Sequence, residues 1–235
     1  FSTIAALDTS LWSVVSNTIT DASVSVTGAK LTFNCGTVPG TLMFRGKFTY
    51  TIPFRVQFGG VVLSQRIANQ NIYMGVTNAA GDMQDAWLLT STTATAGKLF
   101  TRNGTNTLSS ASATIPSTAN NTGILEIEAY IDEVLASAKS ANSLTGRSAS
   151  LVAQAVAPDP NDDYFAFIMV ENTATVTATT TTLDFITVNE IFEIPVEVTG
   201  GRGSCGGANN SVPVILQGSV LQGIDNGSAG SATFG

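Results

Sequence analysis

Apolar and polar residues alternate with period two through most of this chain, the spacing that sends successive side chains to opposite faces of a strand. The densest aromatic and β-branched stretches are residues 163–170 and 181–191, with a polar turn at 171–180 between them. They predict two long antiparallel strands at the heart of a β-sandwich. In the second stretch Leu183, Phe185, Thr187 and Asn189 share one parity, and Asp184, Ile186, Val188 and Glu190 the other. Phe165, Phe167, Phe185 and Ile127 are expected to be buried together in one core.

Shorter strands follow from the same pattern. Residues 11–15 carry Trp12 as a core anchor, and 23–27 and 30–35 form a hairpin across Gly28-Ala29. Residues 41–52 place Leu42, Phe44, Gly46 and Phe48 on one face, and 54–58 resume after Pro53. After Gly59-Gly60, strands are expected at 61–67, 71–76, 86–89 and 98–102, with a turn at Asn103-Gly104 and an exposed loop over 105–122. Residues 123–131 alternate strictly: Leu125, Ile127, Ala129 and Ile131 inward, Glu126, Glu128 and Tyr130 outward. A hairpin should follow, and a further strand is expected at 148–156. Many short strands, with no segment of helical period, predict a sandwich with one core from about Leu7 to Phe192.

The composition changes after Phe192. The stretch from Ile194 to Gly201 recurs as Val212 to Ser219, and a Gly- and Ser-rich segment separates the copies. The chain therefore divides into a sandwich, 1–192, and an extended repeat tail, 193–235. Pro195 and Pro213 lack a backbone donor and suit edge strands. Val196, Val198, Val214 and Leu216 form an apolar row with few partners inside so short a segment. The tail is expected to anchor the chain to a neighbouring subunit or another protein.

Composition narrows the function classes. Only 11 % of residues are charged, against roughly 25 % in ordinary domains, so the solvated surface rests on Ser, Thr, Asn and Gln. The net charge is −7 with ten Lys and Arg, which argues against nucleic acid as a partner. No run of 18 apolar residues occurs, so no transmembrane helix is expected. The chain begins at Phe1 without Met or a basic leader, which suggests a removed leader or missing first residues. Histidine is absent. This removes Ser/His/Asp and Cys/His catalysis and His-ligated zinc. Cys35 and Cys205 stand far apart and read as two unpaired thiols or one disulfide.

The early Trp12, the Gly46-Lys47-Phe48-Thr49 strand and the closing run from Leu183 to Val188 resemble concanavalin A-like (laminin G-like) jelly-roll domains. The resemblance implies an all-β, antiparallel jelly-roll β-sandwich. The tail from Pro195 to Gly201 is similar to the C-terminal ends of structural proteins of tailed bacteriophages. That resemblance implies a non-enzymatic virion protein at the particle surface, a capsid decoration, cement or fibre protein, attached through its tail and homo-oligomeric. Its partners would be other virion proteins. The alternative is a carbohydrate-binding module of a tail fibre or a secreted protein, with a surface glycan as ligand.

Candidate chemistry is sparse, and no cofactor or metal is expected. Glu126 and Glu128 share a strand face, roughly 7 Å apart by strand geometry. Jelly-roll glycosidases that retain configuration carry a Glu-x-Asp-x-x-Glu strand. Here the third acid is missing, and the pair reads as a solvated face. Asp159, Asn161, Asp162 and Asp163 read as a turn with Asx hydrogen bonds, with calcium as the alternative. Trp87 and Tyr73 read as core aromatics, with a sugar-stacking platform as the alternative.

Overall fold

The computed structural model describes residues 10–27, 30–62, 67–90, 96–109, 113–114, 122–131, 133–140, 148–150, 159–194 and 214–216. These residues contain strands and no helix. In chain order the strands are β1 (Trp12–Asn17), β2 (Ser23–Thr27), β3 (Lys30–Asn34), β4 (Gly40–Gly46), β5 (Phe54–Val62) and β6 (Gln70–Asn78). Then come β7 (Met83–Thr90), β8 (Ala96–Asn103), β9 (Asn106–Ser109), β10 (Ala113–Thr114), β11 (Thr122–Ala129) and β12 (Val134–Ser140). The last are β13 (Ser148–Ser150), β14 (Tyr164–Asn172), β15 (Thr180–Leu183), β16 (Phe185–Glu190), β17 (Phe192–Ile194) and β18 (Val214–Leu216).

An eight-stranded sheet runs β1-β4-β14-β6-β7-β8-β10, with β9 also on β8. A five-stranded sheet runs β13-β12-β11-β5-β16, and a small third sheet runs β15-β3-β2. All pairings are antiparallel, and the chain folds as a jelly-roll sandwich. The interior takes the apolar parity of each strand. Leu42 and Phe44 come from β4, Phe54, Val56 and Phe58 from β5, and Leu125, Ile127 and Ala129 from β11. Trp87, Ile168 and Val170 close it from the facing sheet.

Residues 163–170 and 181–191 do not pair with each other, contrary to the sequence expectation. β14 lies between β4 and β6. The chain then crosses to β15 in the small sheet and bends at Asp184 into β16 at the edge of the five-stranded sheet. The Asp184 N–H donates to the Gly59 carbonyl at 2.7 Å. The bend resets the alternation. Leu183 is buried and Ile186 and Val188 pack on the core, while Phe185 turns outward and is 39 % exposed.

The four residues expected in one core are therefore split. Ile127 is interior, and Phe167 is fully buried in a second cluster on the opposite face of β14. Phe165 lies half-buried on that same outer face. Tyr164, Ala166, Ile168 and Val170 are the interior set of β14.

Other boundaries shift for local reasons. β5 runs through Gly59-Gly60 as one strand. Gly123 opposes Val61 while Ile124 opposes Gly59, so Gly60 is an extra residue. Its φ of 68° is a left-handed value that glycine adopts without steric cost. Residues 106–109 form β9 and do not belong to a loop. β11 ends at Ala129, so Ile131 is 60 % exposed and not inward. β4 ends at Gly46, which leaves Phe48 exposed.

Residues 1–190 and 191–235 form two compact units. In the second, β17 and β18 pair antiparallel, Phe192 opposite Leu216 and Ile194 opposite Val214. The leading edge of the first repeat copy thus pairs with the second copy. Val214 and Leu216 lie on β18. Pro195, Val196, Val198 and Pro213 lie outside the described residues.

Candidate functional site on the outer face of the large sheet

Residues directly opposed in a ladder share a face of the sheet. Register therefore builds rows across the outer face of the eight-stranded sheet. Phe165, Thr77, Gln84, Arg102 and Thr107 form one row. Arg45, Phe167, Gly75, Ala86, Phe100 and Ser109 form the next. Met43, Met169, Tyr73, Leu88 and Lys98 form the third, and Thr41, Glu171 and Asn71 stand beyond it.

The floor of this face is apolar: Met43, Tyr73, Ala86, Leu88 and Phe167 are buried, with Phe100 and Met169 packed against them. Gly75 allows a close strand approach, since a Cβ there would stand 2.5 Å from the Ala86 Cα. Tyr73 meets Phe100 edge-on, with centroids 5.1 Å apart. The Arg45 guanidinium lies 4.4 Å above the Phe165 ring, and its Nη1 donates to the Ala79 carbonyl at 2.6 Å.

Polar groups surround the floor. The Tyr73 hydroxyl and the Asn71 side-chain amide each donate to Glu171 Oε2 at 2.9 Å. Burial, with the Glu171 charge adding to it, pushes the Tyr73 phenol well above its usual range. Gln84 is buried; its Nε2 donates to the Gly81 carbonyl at 3.1 Å, and its Oε1 is unsatisfied, as is Arg45 Nε. Arg102 Nε donates to the Gly104 carbonyl at 2.9 Å.

The outer face of the five-stranded sheet is different. Register aligns Ser137, Glu126, Gln57 and Thr187 across β12, β11, β5 and β16. Ser137 Oγ donates to Glu126 Oε1 at 2.9 Å, Gln57 Nε2 donates to Oε2, and the Thr187 hydroxyl donates to Gln57 Oε1 at 3.3 Å. Arg55 Nε stands 3.9 Å from the same carboxylate. Glu126 and Glu128 do share a face, but Glu126 is 3 % exposed and not solvated as expected. A carboxylate with both oxygens engaged in a cross-strand ladder is placed to fix strand register, not to meet a substrate.

The remaining sequence candidates fall into structural roles. Trp87 is fully buried, and its indole N–H donates across the sandwich to the carbonyls of Glu126 at 3.0 Å and Ser137 at 3.1 Å. It is an inter-sheet tie and not an exposed platform. Asp159 Oδ1 accepts from the Asn161 backbone N–H at 2.8 Å and its side-chain amide at 2.9 Å, an Asx turn. Cys35 is buried, and burial pushes its thiol up; Cys205 lies outside the described residues.

Sequence reasoning missed Asp85. It faces the interior in register with Val76 and Thr101, and burial pushes its carboxyl up to about 7. Burial likewise raises Tyr164 to about 12, with the charges of Asp162, Asp159 and Asp85 adding to it and a backbone hydrogen bond from Asp159 opposing it.

No family model matches the chain, and no curated protein does. Solved structures match its fold. A chain reported with endo-acting O-glycanases of the human gut microbiota superposes with a TM-score of 0.57 at 8 % identity, over 80 % of this chain and 95 % of that one. A β-1,3-glucanase from Mycobacterium marinum gives 0.56 at 9 % identity, over 78 % and 93 %. A legume lectin-like domain from Entamoeba histolytica gives 0.51 at 8 % identity, over 78 % and 91 %. The sandwich is thus similar in fold to these jelly rolls, and likeness at such identity establishes fold alone.

Proposed function

We propose that this protein binds glycans through the outer face of its large sheet and does not hydrolyse them. One observation carries the reading: an aromatic and apolar floor, with Phe165 and Phe100 half-buried on separate strands, is bordered by polar side chains on the same face. Sugar rings offer an apolar C–H face and a rim of hydroxyls, and binding sites of this class pair apolar walls with a few placed polar groups. A β-1,3-glucanase, a chain reported with O-glycanases and a legume lectin-like domain among the fold neighbours favour this ligand class over a purely structural role.

Hydrolysis with retention or inversion requires two carboxyl groups across the scissile bond. From the described strands of this face only Glu171 projects, and Asn71 and Tyr73 both hold one of its oxygens. A glycan array followed by titration calorimetry tests the reading. Phe165→Ala and Phe100→Ala are each expected to weaken binding about tenfold while thermal unfolding stays cooperative. Release of reducing ends that disappears in Glu171→Gln, or in Glu126→Gln, would refute the non-enzymatic part.

A second reading concerns the tail. Among the described residues β17 and β18 pair only with each other, and a two-stranded ribbon is marginally stable alone. This favours a tail that anchors the chain to a larger assembly, a virion surface being the case its sequence resembles. A chain ending at residue 190 should fold cooperatively and fail to assemble. Parental assembly of that truncated chain would eliminate the anchor.

A further inference from the structure

Charge on the candidate face runs against the charge of the chain. The whole sequence has ten Lys and Arg against seventeen Asp and Glu. Across the described strands of the outer face, Arg45, Lys98 and Arg102 stand against Glu171 alone. Two further acids lie in turns at one end, Asp82, which accepts from the Asn78 amide at 2.8 Å, and Asp163. No salt bridge to Arg45, Lys98 or Arg102 is found among the described residues, where Lys30 pairs with Asp184 and Arg55 with Glu126. All three are half-buried beside an apolar floor.

Three cations against one carboxylate give the described strands of this face a net positive charge, and such a field attracts an anionic ligand. Resting on the glycan-binding reading, we infer that this face selects an acidic polysaccharide, one that carries carboxylate or sulfate groups along its length.

The layout also sets the ligand's size. Four strand spacings separate the backbones of β4 and β8, about 19 Å, and the Arg45 side chain reaches over Phe165 to the Ala79 carbonyl just after β6. Lys98 and Arg102 are four residues apart on one strand, about 13 Å. A single sugar cannot reach all three; an extended chain with repeated charges can. The Arg45 guanidinium is already oriented by the Phe165 ring and the Ala79 carbonyl. It can therefore offer a fixed planar edge to a carboxylate or sulfate.

The experiment is calorimetric titration of the full chain with polygalacturonate, dextran sulfate, the neutral β-glucan laminarin, and poly-L-glutamate. At low salt one or both acidic polysaccharides should bind at least about tenfold tighter than laminarin, and raised salt should weaken them. Whichever of the two is preferred identifies carboxylate or sulfate as the recognised group. Lys98→Gln and Arg102→Gln should each reduce that affinity about tenfold, with unchanged unfolding temperature. Lys30→Gln, whose side chain pairs with Asp184, should not. If laminarin binds as tightly and Arg102→Gln changes nothing, the acidic assignment fails while glycan binding survives. If poly-L-glutamate matches the polysaccharides, the assignment to a glycan is overturned. If neither acidic polysaccharide binds, the acidic assignment fails, and the glycan array decides the underlying glycan reading separately.

Discussion

Trp87→Ala is expected to cost about 3–5 kcal/mol and to lower the unfolding temperature by roughly 6–20 °C, as inferred for a domain of this size. The side chain is the largest of the fully buried set. Its loss opens a cavity between the sheets in a body whose total stability is of order 5–15 kcal/mol. It also removes the indole donor that bonds to the Glu126 and Ser137 carbonyls on the facing sheet. Trp87→Phe separates the two contributions, because it keeps most of the apolar volume and deletes the donor. It should recover more than half of the loss. Scanning calorimetry on the two variants checks this. Parental stability of Trp87→Ala would mean that the sheets are not tied at this point.

How much of this was readable from residues alone depends on what lies on each side of a strand. β11 was legible because one face is apolar and the other carries Glu126 and Glu128. Parity there assigned Leu125, Ile127 and Ala129 inward correctly. β14 was not, because both of its faces are apolar: Ile168 packs into the interior and Phe167 into the outer cluster. An unbroken apolar run carries no alternation to read. The step from Leu183 to Phe185 was illegible for another reason. A bend and a change of sheet at Asp184 depend on the distant Gly59 carbonyl. Nothing local marks it.

The candidate face shares this limit. Arg45, Gln84 and Arg102 come together only because four ladders align β4, β14, β6, β7 and β8. Phe165 was expected in the core when it belongs beside them. The Glu126 pair shows the converse. Its face was readable, but its burial beneath cross-strand partners was not.

Asp85 was legible in principle, since period two sets it in line with Met83 and Trp87, both interior. Its consequence is a stability that falls as pH rises. The folded-state carboxyl sits at about 7 against an ordinary 3.8, with burial as the cause. Folding therefore favours the protonated form. The associated stability is fully present below the unfolded value and is lost progressively as pH rises through the folded value. Each unit of pH inside that window is worth about 1.4 kcal/mol. Between pH 5 and pH 8 the loss should come to about 2–3 kcal/mol, or roughly 5–10 °C in unfolding temperature. The chain has no histidine, so imidazole titration does not obscure this interval. Tyr164, near 12, stays protonated throughout it. Asp85→Asn keeps the shape and cannot ionise, so its unfolding temperature should be flat across the same interval and exceed the parent's at pH 8. A parental profile that rises from pH 5 to pH 8, or a variant with the parent's slope, would place the titrating group elsewhere.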